Sequence, residues 1–141
     1  NDPKVSLEKE IDLIRNFLDL ERIRYGHSLE IDFDVSGDPS GYYIAPMLLL
    51  PFVENSFKHG LSKQSKAPWI HLKMTLERGL FRFNVKNSHG GNHKDKKESY
   101  TEGIGLNNVK RRLELIYKKN YSLNIKDEEE FFEIDLYINL T

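Results

Sequence analysis

The chain has 141 residues, a formal net charge of −1 and no cysteine. That length suits a single domain with a hydrophobic core, and the near-neutral charge argues against direct binding of nucleic acid. The absence of cysteine excludes disulfides and thiolate metal sites, and no apolar run approaches the roughly 20 residues of a membrane-spanning helix.

The first part of the chain predicts a helix, a strand and a second helix. Apolar side chains recur at helical spacing over residues 6–25, and Gly26 suits the C-terminal end of that helix. Residues 29–35 alternate between apolar and acidic side chains, which indicates a half-buried strand, and a turn is expected at 38–41. Pro46 is predicted to open the next helix, with a kink or a short first turn at Pro51.

The remainder predicts two hairpins separated by a polar loop and a helix. Alternating strands at 69–76 and 81–85 are joined by a turn at 77–79, and strands at 121–125 and 132–140 by a turn at 127–130. Residues 88–102 contain no aliphatic side chain. They cannot offset the entropy of ordering, so a mobile loop is predicted. Apolar spacing from Leu106 to Ile116 predicts the helix that follows.

These elements together predict an α+β fold. Helices are interleaved with the strands, and each strand has one buried face because its side chains alternate. The predicted architecture is a two-layer α/β sandwich, in which a mixed, mostly antiparallel sheet is covered on one face by helices.

The segment 51–60, PFVENSFKHG, holds the main candidates for a functional site. Asn55, Lys58 and His59 share one face of the predicted helix. A carboxamide, an ammonium and an imidazole side by side suit a magnesium-bound polyphosphate, because Asn supplies an oxygen ligand and the other two supply charge or hydrogen bonds. The alternative is an ordinary solvated polar face. The opposite face is apolar apart from one hydroxyl and consists of Phe52, Val53, Ser56 and Phe57.

A second candidate is the glycine turn formed by Gly103 and Gly105, directly before a predicted helix. Such turns present backbone N–H groups to an anion, with the helix dipole aimed at it. The alternative is a helix entry that only requires an unusual backbone angle. Asn87, at the end of a predicted strand, has an Asx turn as its ordinary explanation.

Two of these segments resemble known motifs. PFVENSFKHG is similar to the N box of the GHKL ATPases, and GIGLNNVKRRL is similar to their second glycine box. The combination most resembles bacterial sensor histidine kinases of the LytS type, and NFLDLERIRYG resembles the segment that links that family's phosphoacceptor helix to its ATP-binding domain. The resemblance implies a linker helix over residues 1–27, a Bergerat ATP-binding fold over residues 28–141, and ATP and Mg²⁺ as cofactors.

The resemblance also implies roles for individual residues. Asn55 is the magnesium ligand and a catalytic residue, while Lys58 and His59 approach the phosphates. Glu54, the second catalytic candidate, polarises the attacking imidazole or pairs with Lys58. Asn87 replaces an aspartate that accepts a hydrogen bond from the adenine amino group, so weaker adenine recognition is expected. The remaining nucleotide-binding positions are Gly91, Gly103, Ile104, Gly105 and Leu106, and His89 departs from the family's first glycine box.

The activity that the resemblance implies is phosphoryl transfer. A histidine kinase moves the γ-phosphoryl of ATP to a histidine on its own dimerisation domain and then to a response regulator, for which the LytTR type is one candidate. The parent protein is expected to be a homodimer of the bacterial inner membrane, with this part in the cytoplasm and residues 88–102 as the ATP lid. The alternatives are a serine kinase of the anti-sigma type and a noncatalytic module that binds nucleotide or protein.

The other histidines offer neither a metal site nor a phosphoacceptor. None has metal-ligand spacing with a carboxylate, so no zinc site is predicted. His71 is expected on the exposed face of a strand, and His89 and His93 are expected to be solvated loop residues. None lies in the family's phosphoacceptor context. The phosphoacceptor histidine is therefore expected outside the chain, which begins with Asn1 and is expected to be part of a longer protein.

Overall fold

The computed structural model describes residues 3–60, 67–89 and 104–141, with only the backbone of residues 59, 60, 104 and 105. Four predictions lie outside these residues: the placement of Gly91, of His93 and of Gly103, and the mobility of residues 90–102. The helices are α1 (Leu7–Tyr25), α2 (Leu50–Asn55) and α3 (Ile104–Ile116). The strands are β1 (Val5–Ser6), β2 (Glu30–Ser36), β3 (Tyr43–Ile44), β4 (Trp69–Glu77), β5 (Leu80–Ser88), β6 (Tyr121–Asp127) and β7 (Phe131–Asn139).

The main sheet has five strands in the order β2-β4-β5-β7-β6. Strands β2 and β4 are parallel, whereas the other three pairs are antiparallel. The prediction of a mixed, mostly antiparallel sheet is thus confirmed. A second, two-stranded sheet joins β1 to β3, with Val5 opposite Ile44. The sequence did not predict this small sheet, since a strand of two residues has no alternation to detect.

Both predicted hairpins form. Between β4 and β5, Arg78 and Gly79 have φ angles of 52° and 82°. Two consecutive residues with positive φ make the type of tight turn that matches the twist of an antiparallel pair. A side chain at Gly79 would collide with Thr141, and the Gly79 carbonyl accepts a hydrogen bond from Leu140 N–H at 2.8 Å. Glycine therefore satisfies both the backbone angle and the close approach of the C-terminus.

The helices pack on one face of the sheet and form a single core with it. Helix α1 begins at a capping residue, Ser6, whose hydroxyl accepts a hydrogen bond from Lys9 N–H at 3.2 Å, and it ends at Gly26 as predicted. Its buried apolar residues are Leu7, Ile11, Ile14 and Leu18, which belong to the same cluster as Phe81, Phe83, Ile134 and Leu136 of the central strands. The division into a linker and a catalytic domain stays a prediction.

Helix α2 begins later than the sequence predicts. Pro46 lies in a turn, and the helix starts at Leu50, so the prediction that Pro46 opens the helix is wrong. Pro51 is in the first turn, where its missing N–H would have had no partner in any case. Past Asn55 the chain widens into a π-helical turn over Ser56–Gly60. Such turns are rare and are frequent at functional sites.

The other face of the sheet is polar. On it, Arg82 and Asp135 form a two-point ion pair, with the Nε–Oδ1 distance at 2.9 Å and the Nη2–Oδ2 distance at 3.3 Å. His71 lies on this face as predicted, 2.7 Å from a Glu30 carboxylate oxygen. In the described residues, every helix is too short or too polar to cross a membrane.

Candidate functional site

The segment 51–60 is helical, and its apolar face packs into the core as predicted. Phe52, Val53 and Ser56 have no exposed surface, and Phe57 is buried. Asn55 is also buried, with 6% exposure, whereas the Lys58 side chain is exposed. A solvated polar face therefore explains Lys58 but not Asn55. The side chain of His59 lies outside the described residues.

Three buried polar atoms in this region have no hydrogen-bond partner among the described residues. They are Asn55 Nδ2, Ser56 Oγ and Asn87 Oδ1. A buried polar group that lacks a partner costs about 1 to 3 kcal/mol, which a folded protein tolerates mainly where function requires it. A bound molecule with its own donors and acceptors would recover that cost at the two asparagines.

Asn87 lies inside the central strand rather than in a turn. Its register partners are Ile70 on β4 and Phe132 on β7, and it is fully buried. An Asx turn would require its oxygen to accept from His89 N–H, but that N–H donates to the Glu130 carbonyl at 2.9 Å. The Asx-turn explanation is therefore wrong. The side-chain Nδ2 donates to the Ser88 carbonyl at 3.0 Å, which leaves Oδ1 available as an acceptor.

The fold brings the candidate segments together on the helical side of the sheet. The π-helical turn packs against β5 and β7, and α2 packs against both α1 and α3. Helix α3 starts at Ile104, so Gly105 lies in its first turn rather than before a helix that starts at Leu106. The Leu106 side chain is buried in the core, so only its backbone is available to a ligand. The first-turn N–H groups of α3 lack helical partners, as at any helix start.

The structure addresses one of the two explanations offered for Glu54, its pairing with Lys58. No ion pair between Glu54 and Lys58 occurs among the ion pairs of the described residues. The half-buried Glu54 carboxylate is therefore not held by that lysine. The described ranges also contain no cluster of three or more His, Cys, Asp or Glu side chains that could hold a metal. A magnesium ion at this site would depend on the Asn55 oxygen together with oxygen atoms of a ligand.

The start of the predicted mobile loop is ordered in the structure. Ser88 belongs to β5, and its hydroxyl accepts a hydrogen bond from Trp69 N–H at 2.9 Å. The His89 side chain is only 7% exposed and lies 2.9 Å from the Asp127 carboxylate, so its prediction as a solvated loop residue is wrong. It also packs edge-on against Phe132. These partners are far away in the sequence, and no local pattern signals them.

Comparisons with known proteins give a consistent result. No family model matches the chain. It is 29% identical over 136 residues to the sensor protein LytS of Staphylococcus saprophyticus, a match that covers 89% of this chain and 23% of that protein. It is 24% identical over 127 residues to the sensor histidine kinase YesM of Bacillus subtilis, covering 89% of this chain and 22% of that protein.

Solved structures agree on the architecture. The catalytic domain of the histidine kinase ThkA superposes with a TM-score of 0.66 at 15% identity, covering 99% of this chain and 95% of that domain. The chain has the fold of a histidine kinase catalytic domain. The histidine kinase domain of a blue-light activated kinase from Erythrobacter litoralis has the same fold, with a TM-score of 0.65 at 15% identity, 91% coverage of this chain and 59% of that domain.

This chain matches only part of the length of its sequence relatives. The chain spans between 22% and 41% of the length of the first curated relatives that it matches. Relatives that match about nine-tenths of this chain and whose names state a function are LytS sensor proteins and other sensor histidine kinases. The resemblance that the N box and the second glycine box indicated is thereby confirmed, and the helices α2 and α3, which hold described parts of the two boxes, pack against each other.

Proposed function

We propose that this chain is the ATP-binding catalytic domain of a sensor histidine kinase and that it transfers the γ-phosphoryl of ATP to a histidine outside these residues. The observation that carries the proposal is a pair of buried amides, Asn55 and Asn87, each with one polar atom that has no partner among the described residues. The π-helical turn directly after Asn55 packs against β5, the strand that holds Asn87, in a fold shared with histidine kinase catalytic domains. Two buried side chains that need polar partners favour a polar ligand over an empty surface.

The metal end of the proposed site is Asn55. Its carbonyl oxygen would be a ligand to Mg²⁺, and the Nδ2 group would donate to a phosphate oxygen. When bound, Mg²⁺ would neutralise the negative charge that develops on the phosphate groups during transfer. The exposed ammonium of Lys58, one turn further along, is available to the same phosphates. His59, Gly103, Ile104 and Gly105 are proposed to complete the phosphate contacts with side-chain and backbone N–H groups.

The adenine end of the proposed site is Asn87. Its Oδ1 atom is a buried acceptor without a partner in the described part of the chain, and the exocyclic amino group of adenine is a donor. A neutral amide makes a weaker hydrogen bond than the carboxylate expected from the resemblance, so modest affinity is expected. Gly91 and the backbone of Leu106 are proposed to line the same site.

The proposed chemistry needs little from the protein beyond position and charge. Phosphoryl transfer depends on holding the donor and the acceptor in line and on neutralising the phosphate oxygens. Glu54 is proposed to polarise the attacking imidazole. The acceptor is proposed to be a histidine on a dimerisation domain of the parent protein, itself a homodimer anchored in the bacterial inner membrane.

A response regulator is the proposed final acceptor. ThkA has been solved in complex with the response regulator TrrA, which supports a regulator as partner for a domain of this fold. The LytTR type of regulator is proposed from the likeness to LytS relatives. The serine kinase and the noncatalytic module have less support, since the named relatives over most of the chain are sensor histidine kinases.

The proposal is tested by binding and by transfer. Calorimetry with a nonhydrolysable ATP analogue should show binding that strengthens when Mg²⁺ is added, and absence of any binding would instead favour the noncatalytic module. With radiolabelled ATP, the chain alone should acquire no acid-labile phosphate. A histidine-bearing dimerisation region of a LytS relative, supplied separately, should acquire it slowly, because the effective concentration of a linked domain is lost. Acid-stable label on serine would favour the serine kinase.

A further inference from the structure

The loop of residues 45–48, between β3 and α2, has a strained backbone. Met47 has a φ of 55°, a left-handed conformation that is uncommon for a residue with a side chain. The residue is 49% exposed, so burial of its side chain does not account for the conformation. A strained residue persists only where its surroundings hold it.

Three side chains from distant parts of the chain hold this loop. Tyr117 Oη, just after α3, accepts a hydrogen bond from Ala45 N–H at 3.0 Å. The Glu10 carboxylate on α1 accepts one from Leu48 N–H at 3.3 Å. Glu10 is 3% exposed and Tyr117 is 5% exposed, so both bonds are shielded from water.

The third side chain, Arg112 on α3, donates hydrogen bonds to the carbonyl groups of two consecutive residues, Pro46 and the strained Met47. Its Nη2 donates to the Pro46 carbonyl at 2.7 Å, and its Nη1 donates to the Met47 carbonyl at 3.3 Å. The planar guanidinium therefore fixes two successive peptide groups in one orientation. Together, Glu10, Arg112 and Tyr117 bond to four consecutive residues, and we call these three side chains the loop clamp.

The clamp acts directly on the start of α2. That helix is short, and its N-cap residue, Leu49, provides no side-chain hydrogen bond. The direction of α2 is consequently set by the loop that enters it and by the burial of Phe52 and Val53. Asn55 is the last residue of the same helix, so a rotation at the N-terminal end moves its amide.

We propose that Glu10, Arg112 and Tyr117 are positioning residues that fix helix α2 and thereby place the side-chain oxygen of Asn55 for magnesium. The inference rests on the proposed function of Asn55, but it concerns residues to which the proposed function assigns no contact with metal or nucleotide. It also links α1 and α3 to the metal end of the site. The adenine end, on β5, is independent of the clamp because Asn87 is held in the sheet by its strand partners.

The clamp is tested by comparing two measurements of nucleotide affinity. Tyr117→Phe removes the oxygen that accepts from Ala45 and keeps the ring, so the core stays filled. Without Mg²⁺, affinity for ATP should stay within about twofold of the unsubstituted chain, whereas the gain on adding Mg²⁺ should shrink by about three- to tenfold, the effect of losing one net hydrogen bond. Tyr121→Phe is the matched control, since it removes an exposed hydroxyl that bonds Glu114, and it should change neither value.

A second pair of variants separates positioning from general stability. Glu10→Gln retains an oxygen that can accept from Leu48 N–H, so it should retain the increase in ATP affinity on adding Mg²⁺. Glu10→Leu should lose that increase. Equal loss of affinity with and without Mg²⁺ in Tyr117→Phe would overturn the inference in favour of a merely structural role. An unchanged gain in a folded Tyr117→Phe variant would overturn it outright.

A measurement without nucleotide distinguishes failure of the clamp from failure of the proposed function. The side-chain amide resonances of Asn55 in a ¹H–¹⁵N spectrum should shift in Tyr117→Phe and stay in place in Tyr121→Phe. If the unsubstituted chain shows no Mg²⁺-dependent gain, the proposed function fails, and the shift alone then decides whether the clamp positions Asn55. An absent shift overturns the inference.

Discussion

Substitution of Asn55 by alanine should separate folding stability from ligand binding. The Asn55 Nδ2 atom is buried and has no hydrogen-bond partner among the described residues. Removal of such a donor relieves about 1 to 3 kcal/mol, and the small cavity left by the amide costs an amount of the same order. We therefore expect the free energy of unfolding without ligand to change by less than about 1 kcal/mol in either direction. For a domain of this size, that difference moves the melting temperature by a few degrees, roughly 5 °C at most.

The same substitution should remove the effect of magnesium on ATP affinity. An oxygen ligand to a metal, or a hydrogen bond to a charged phosphate, contributes about 1.5 to 3 kcal/mol. Loss of this interaction corresponds to a decrease of about ten- to a hundredfold in affinity measured with Mg²⁺. Urea unfolding gives the first quantity, and calorimetry with a nonhydrolysable ATP analogue, with and without Mg²⁺, gives the second.

The neighbouring residue offers a matched control. Ser56 is fully buried on the apolar face of the same helix, and its Oγ also lacks a partner within the described ranges. Ser56→Ala should keep or raise stability and retain the effect of magnesium. The reasoning is refuted if Asn55→Ala binds ATP with magnesium as tightly as the unsubstituted chain. It is also refuted if Asn55→Ala lowers stability by several kcal/mol, because the amide would then have a structural role.

Three further predictions concern stability. Met47→Gly should change the free energy of unfolding by less than about 1 kcal/mol, because relief of the positive φ offsets the greater freedom of glycine in the unfolded chain. Met47→Val should lower the free energy of unfolding by about 1 to 3 kcal/mol, and equal effects of the two substitutions in urea unfolding would contradict this prediction. Arg82 and Asp135 have side chains that are 38% and 21% exposed. A double-mutant cycle on this pair should give a coupling free energy of about 0.5 to 1 kcal/mol that weakens in 1 M salt. A coupling that does not depend on salt would argue against an electrostatic origin. Burial raises the pKa of Tyr117 above its ordinary 10.0. As the pH rises, the unfolded chain therefore loses the Tyr117 proton at a lower pH than the folded chain does. The free energy of unfolding should hold up to about pH 10 and fall above it. In Tyr117→Phe the alkaline fall should be smaller, and an unchanged slope would exclude Tyr117 as its source.

Local features of the sequence determined the secondary structure and the fold class. Alternation in the five main strands, the glycine that ends α1 and the buried face of segment 51–60 were all predicted and are all found. Each depends on the period of a helix or strand or on the chemistry of a single turn, which neighbouring residues specify. The N box and the second glycine box are likewise contiguous in the sequence, and they indicate histidine kinases without any tertiary information.

Only the tertiary structure decided which polar side chains are buried away from water and which distant groups form hydrogen bonds with them. The sequence placed Asn55 on a polar face and Asn87 at a strand end, but the packing of the helical layer on the sheet leaves both side chains buried. The sequence made His89 a loop residue, whereas Asp127, 38 residues away, bonds it at a sheet end. The loop clamp likewise joins residues 38 and 72 positions apart. A hydrogen bond between such positions has no local period or motif, because it exists only once the fold has brought the two groups together and excluded water from them.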